Sequence, residues 1–199
     1  MELVTKKKLL LVAGRVHPEL ATEISERLGV PLGQIELASF PNGERHCRYG
    51  ESIRGADLFI LQTHDTIEGC TINDAIMEQL IMVDAARRAS AKRITVVAPF
   101  FGYSRQDRKA TGREPITAKL IANLFATAGA KRLVSIDLHS GQIQGFFDGP
   151  VDHLTAMPVL VQWMADNLGD DLVVVSPDAG RVKVAERYAN TLHADLAIV

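Results

Sequence analysis

Short apolar runs alternate along the chain with longer stretches in which apolar residues recur every three or four positions. The runs predict strands over 8–13, 58–62, 94–98, 133–137, 172–175 and 196–199. The periodic stretches predict helices over 17–28, 73–89, 116–128, 158–168 and 181–192. In the first helix Leu20, Ile24 and Leu28 stand at i, i+4 and i+8, Pro18 suits the first turn, and Gly29 ends it. In the second, Ile76, Leu80, Val83 and Ala86 make the apolar stripe. Pro99 stops the strand that follows, and Gly129 ends the third helix. Strand and helix in alternation predict an α/β protein with a mainly parallel sheet.

Two segments share a layout. Leu9 to Val12, then Gly14-Arg15 and a helix, matches Leu172 to Val175, then Gly180-Arg181 and a helix. The likeness is that of two related domains, 1–149 and 150–199; a common strand-loop-helix unit produces it by chance as well. If 150–199 opens a second domain, that domain is expected to continue past Val199.

Composition narrows the class without naming a function. Of 199 residues, 47% are hydrophobic and 23% charged, the balance of a globular protein. A formal charge of −2 gives no support to a nucleic-acid or anionic-membrane surface. No apolar run approaches the roughly 20 residues that span a bilayer. Behind the basic opening, Leu9 to Ala13 is shorter than the roughly 7–15 residues of a signal-peptide core. Cys47 and Cys70 have neither metal-ligand spacing nor a disulfide framework, so a reducing cytoplasm is the expectation.

Four polar or glycine-rich segments carry candidate chemistry. In open parallel sheets ligands bind beyond the carboxyl ends of the strands, where these segments are expected. Ser39-Phe-Pro-Asn-Gly-Glu-Arg45 has strong turn chemistry; its ring, amide and carboxylate also suit a purine base. In Pro99 to Lys109, the charges of Arg105, Arg108 and Lys109 follow a buried strand directly, and guanidinium forks match phosphate oxygens, so a polyphosphate ligand is inferred. In the third segment, Asp137 and His139 leave a strand end with two glycines and two glutamines, which points to binding. The fourth, Val175-Ser-Pro-Asp-Ala-Gly-Arg181, places a carboxylate where Mg²⁺ would sit and amides where phosphate would, or else makes an ordinary turn and helix cap.

Read together, these segments resemble the ribose-phosphate diphosphokinase (phosphoribosyl diphosphate synthetase) family over essentially the whole chain. The motifs, in order, are Phe-Pro-Asn-Gly-Glu at 40–44, Glu-Ser-Ile-Arg-Gly at 51–55, Met-Val-Asp-Ala-Ala-Arg-Arg-Ala-Ser at 82–90 and Phe-Gly-Tyr-Ser-Arg-Gln-Asp-Arg-Lys at 101–109. Pro-Ile-Thr-Ala-Lys at 115–119, Asp-Leu-His at 137–139, Gln-Ile-Gln-Gly-Phe-Phe-Asp at 142–148 and Ser-Pro-Asp-Ala-Gly at 176–180 complete them.

The resemblance implies two stacked phosphoribosyltransferase-like domains and Mg²⁺ as cofactor. It implies transfer of the β,γ-diphosphoryl group of ATP to the 1-hydroxyl of ribose 5-phosphate, with AMP leaving. By position, Phe40, Asn42, Gly43 and Glu44 correspond to an adenine-binding loop that reaches a neighbouring subunit's site. Arg105, Gln106 and Asp107 correspond to ATP contacts, and His139 and Asp178 to Mg²⁺-associated residues. The family's catalytic Lys and Arg loop, and its ribose-phosphate loop, are expected beyond Val199. Dimer-based hexamers are implied as well.

Asn42 stands where many relatives have Asp, and Arg181 where many have a second Gly. Three other readings are open: a non-catalytic regulatory homologue, a phosphoribosyltransferase, or a nucleotide-binding module. Intact Arg105, Gln106, His139 and Asp178 argue against the first. The basic run at 105–109 has no purpose in the second.

Overall fold

The computed structural model describes residues 8–169 and 171–199. The chain forms two compact units, one running to Leu154 and the other from Thr155 to Val199.

The first unit runs β1 (Leu9–Ala13), α1 (Pro18–Leu28), β2 (Ile35–Ser39), β3 (Arg45–Tyr49), β4 (Asp57–Leu61), α2 (Ile72–Arg88), β5 (Arg93–Ala98), α3 (Thr117–Ala128) and β6 (Arg132–Ile136). A short 3-10 helix, Gly141–Phe146, then leads to β7 (Val151–Leu154). Five strands make a parallel sheet in the order β1-β4-β5-β6-β7. β2 and β3 pair antiparallel as a separate hairpin.

Alternation along the strands divides the core. Leu10, Val12, Leu58, Ile60, Ile94, Val96 and Leu133 pack with Met82, Val83 and Ala86 of α2 and Ile121 and Phe125 of α3. Leu11 and Leu61 point to the other face and meet Ala21 of α1. Both faces of these strands are covered, which is why they read as continuous apolar runs.

Local signals set the helix ends. Thr71 and Asp74 form a reciprocal capping box at the start of α2. His17, in the left-handed region at φ 63°, accepts the Leu20 N–H on its ring before Pro18 opens α1. α3 has no side-chain cap of its own; the Gln106 carbonyl accepts the Ala118 N–H at 3.2 Å instead.

The predicted strands and helices are present with ends shifted by a residue or two, and β2, β3 and β7 are additions. β7 pairs with β6, so the sheet of the first unit extends past the expected boundary between 149 and 150.

The second unit holds α4 (Met157–Asn167), β8 (Val173–Ser176), α5 (Val182–Leu192) and β9 (Asp195–Ile198). β8 and β9 pair parallel. Their apolar side chains and those of α4 and α5 surround a cavity of about 530 Å³ that includes Met164, Val174, Tyr188 and Leu192.

Candidate functional site

All five strands of the parallel sheet point the same way, so their carboxyl ends share one edge. The segments after β1, β4, β5 and β6 gather there: 14–17, 62–65, 99–109 and 137–142.

The segment after β5 is held from beneath by a buried polar network. His64, wholly buried after β4, accepts the Gly102 N–H on Nδ1 at 3.0 Å. That bond leaves Nε2 as the protonated nitrogen, which donates to Gln79 Oε1 at 2.8 Å. Gln79, also fully buried, returns its amide N–H groups to the Ile60 and Val97 carbonyls. The His64 ring stacks on Phe125 with centroids 5.7 Å apart. Burial pushes the imidazole pKa down to about 4, so the ring is neutral at pH 7. Gly102 leaves little room for a side chain: a Cβ would lie 3.0 Å from Ile76 Cδ1 and 3.1 Å from His64 Cβ, so its neighbours would have to shift.

Beyond Gly102 the backbone turns through Tyr103 at φ 61°, whose hydroxyl donates to Asn73 Oδ1 at 2.6 Å. The Gln106 N–H closes this turn on the Tyr103 carbonyl. Arg105, Arg108 and Lys109 then stand exposed, and none makes an ion pair or hydrogen bond to another described side chain. The nearby carboxylates are engaged elsewhere. Glu114 accepts from Thr111 N, Thr111 Oγ1 and Ala110 N, and those bonds hold its pKa below the usual range. Asp107 is buried and accepts from Ser140 Oγ at 2.5 Å and Gln142 Nε2 at 3.3 Å. Cations freed of counter-ions on a hydrogen-bonded loop are suited to a multiply charged anion.

The structure therefore brings the 105–109 and 137–142 segments together through Asp107. Gln106 also has a role within the fold, because its Oε1 accepts the Thr117 hydroxyl at the start of α3. His139 is exposed and makes no hydrogen bond to a described residue.

Phe40, Asn42, Gly43 and Glu44 form the tip of the β2–β3 hairpin. Phe40 N–H donates to the Glu44 carbonyl, Gly43 N–H to the Phe40 carbonyl, and Glu44 N–H to Asn42 Oδ1. Gly43 sits at φ 92°, where a side chain would be strained. The Phe40 ring is 52% exposed and meets His46 edge-on. No bond or ring contact joins this tip to Arg105–Lys109 among the described residues.

Asp178 lies in the second unit. Its Oδ1 accepts the Gly180 and Arg181 N–H groups at 2.8 and 3.0 Å, and Oδ2 remains open. No three His, Cys, Asp or Glu side chains among the described residues cluster closely enough to hold a metal themselves. His139 in the first unit and Asp178 in the second are each a single exposed donor of a kind that a Mg²⁺ keeping most of its waters can take, and neither belongs to a resident metal cage.

Sequence reasoning missed the groups that organise this edge. Gln62 and Glu78 are buried; Gln62 Nε2 donates to Glu78 Oε1 at 2.8 Å, and Gln62 Oε1 accepts the Val16 N–H. A Cβ on Gly14 would fall 2.3 Å from the Gln62 side chain, so the first loop needs glycine there. Glu78 and Gln79 were legible in one respect: they interrupt the stripe of Ala75, Ile76, Met82, Val83 and Ala86, and so face inward.

Comparison with known proteins adds the following. Residues 9–129 match the family described as the N-terminal domain of ribose phosphate pyrophosphokinase. A ribose-phosphate pyrophosphokinase of Streptomyces avermitilis is 55% identical, the alignment covering 98% of this chain and 59% of that protein. One from Bifidobacterium longum is 56% identical over 94% of this chain and 54% of its own. The crystal structure of phosphoribosylpyrophosphate synthetase from Mycobacterium smegmatis superposes with a TM-score of 0.91 at 52% identity, over 96% of this chain and 64% of that one. The chain thus spans between half and two thirds of the length of these relatives. The α/β fold with its mainly parallel sheet is that of the synthetase.

Proposed function

Since the chain belongs to the ribose-phosphate pyrophosphokinase family, we propose that it supplies the nucleotide side of a transfer from Mg²⁺–ATP to ribose 5-phosphate. In this reaction the sugar 1-hydroxyl oxygen bonds to the β-phosphorus. The bond from that phosphorus to the oxygen bridging to the α-phosphate breaks. AMP leaves with that oxygen, the hydroxyl proton is lost, and phosphoribosyl diphosphate forms. Such transfers need little covalent help from protein; position and charge neutralisation dominate.

The observation that carries the reading is the loop after β5, which presents three exposed cations without partners among the described residues. Arg105, Arg108 and Lys109 hold and orient the polyphosphate, and the His64–Gln79 network keeps their loop from collapsing. Asp107 acts indirectly, tying that loop to 137–142, and Gln106 shares itself between α3 and the nucleotide. Phe40 stacks on the adenine, with Asn42 and Glu44 at its edge and Gly43 shaping the turn. His139 in the first unit and Asp178 in the second would each associate with Mg²⁺, which would supply neutralisation of the phosphate charge. Self-association, with each hairpin tip serving a neighbouring subunit, belongs to the same proposal and is supported by the exposed Phe40 ring.

Calorimetry of Mg²⁺–ATP binding tests this. Arg105→Ala is expected to weaken binding about tenfold or more, and the whole protein is expected to release AMP only when ribose 5-phosphate is present. Unchanged ATP binding in Arg105→Ala, or AMP release without the sugar, would refute it.

A further inference from the structure

A two-stranded hairpin has little stability of its own in water, so the position of the 40–44 turn must come from what grips it. At the far end of the hairpin, Tyr49 donates its hydroxyl to the Met82 carbonyl of α2 at 2.9 Å. At the near end the grip is ionic. Ser39 and Arg45 are the last cross-strand pair before the turn. Arg45 donates from NH1 to Ser39 Oγ at 2.6 Å and from NH2 to the Gly69 carbonyl at 2.9 Å. Its NH2 also lies 3.1 Å from Asp74 Oδ1.

A second guanidinium reaches the same hydroxyl from the first loop. Arg15 NH1 donates to Ser39 Oγ at 3.3 Å and NH2 to the Ala38 carbonyl at 3.5 Å. Arg15 is fixed in turn by Glu78, which accepts Nε at 2.5 Å and the Arg15 backbone N–H at 3.1 Å. Asp74 and Glu78 stand four residues apart on α2, hence on one side of it. Arg45 is nearly buried, at 7% side-chain exposure, and Glu78 more so at 1%. Two guanidinium forks, each held by a carboxylate of one helix, therefore converge on one serine hydroxyl next to Phe40.

We propose that Arg15, Arg45 and Ser39 form a positioning clamp that fixes the hairpin tip for the purine moiety of the nucleotide. The inference rests on the purine reading of the tip given above. Both arginines are held by bonds within the chain itself, so the tip is set by the fold and binding loses less freedom. The clamp acts on recognition of the base, not on the phosphates, which belong to the loop after β5. Lysine cannot replace either arginine, because no point charge bridges a carboxylate and a hydroxyl in the way the planar fork does.

The test compares Mg²⁺–ATP with Mg²⁺–tripolyphosphate, which lacks the nucleoside, on the wild type, Ser39→Ala, Ser39→Thr, Arg45→Lys and Phe40→Ala. Ser39 is exposed, so its variants keep the fold. Ser39→Ala and Arg45→Lys are expected to weaken ATP about five- to tenfold while leaving tripolyphosphate unchanged. Ser39→Thr, which keeps the hydroxyl on a strand, is expected to bind like the wild type. Hydrogen exchange at the Gly43 amide is expected to quicken in Ser39→Ala without any ligand. If Phe40→Ala weakens ATP but Ser39→Ala and Arg45→Lys do not, the clamp is overturned and the purine reading survives. If the wild type binds ATP no better than tripolyphosphate, the purine reading itself falls, and the clamp's role with it.

Discussion

The two units are built from the same kinds of element, yet they hold themselves together very differently. In the first, five parallel strands are covered by helices and enclose large side chains such as Phe101, Phe125 and Met82. In the second, among the described residues, α4 has none buried, and the buried side chains are Ala185, Ala189 and Ser176. Val159, Trp163, Val173, Val175 and Ile198 are all more than half exposed. Burial rises with the number of layers and strands that stack together. Buried polar networks such as His64–Gln79 are affordable only where apolar packing already surrounds them.

Truncating one aromatic in each unit sets the scale of that contrast. Phe125→Ala empties a fully buried site and is expected to cost the first unit about 3–5 kcal/mol in urea unfolding. Trp163→Ala, at a side chain 58% exposed, is expected to cost less than about 1 kcal/mol. Equal losses would mean that the second unit has a core of its own.

Acid sharpens the comparison next. His64 has its pKa lowered from 6.5 to about 4, so the unfolded chain binds the proton more readily than the folded one. Its contribution to stability is present in full above about pH 6.5 and is lost progressively as pH falls toward 4. The loss is expected to reach about 3 kcal/mol in the first unit. Unfolding at stepped pH checks this, and His64→Asn is expected to flatten the slope. An unchanged slope would assign the acid sensitivity elsewhere.

A local effect is expected at Asp178. Asp178→Ala removes two backbone hydrogen bonds at the start of α5 and is expected to cost about 1 kcal/mol. Hydrogen exchange at α5 amides is expected to quicken while β4 and β5 amides keep their protection. Slower protection changes spread over both units would contradict that separation.

The strands buried on both sides were legible because their apolar runs are continuous, and so was the exposed basic segment after β5, whose cations follow such a run directly. The hairpin was half legible. Pro41-Asn42-Gly43 announced a turn, but Arg45-His46-Cys47-Arg48-Tyr49 carries too few apolar residues to read as a strand. It becomes one because Cys47 and Tyr49 lean on α2, Arg45 pairs with Asp74 of that helix, and His46 and Arg48 face water. β7 was hidden for a similar reason, since Asp152 and His153 interrupt it; Asp152 pairs with Arg132, and His153 accepts the Leu138 N–H. The supporting network was the least visible part. Gln62, His64, Glu78 and Gln79 are residue types that usually face solvent; the stripe of α2 hints at the last two, and partners distant in sequence satisfy all four in the interior.

The strand order has a consequence for how the chain is made. Along the sheet each parallel strand sits beside the one synthesised before it, and none is inserted between two that are already paired. A polypeptide leaving the ribosome from its amino end can therefore lay the sheet down in a single sweep, each arriving strand docking on a waiting neighbour. The nascent chain never has to reopen a finished seam, which shortens the time that its bare edge is offered to other chains.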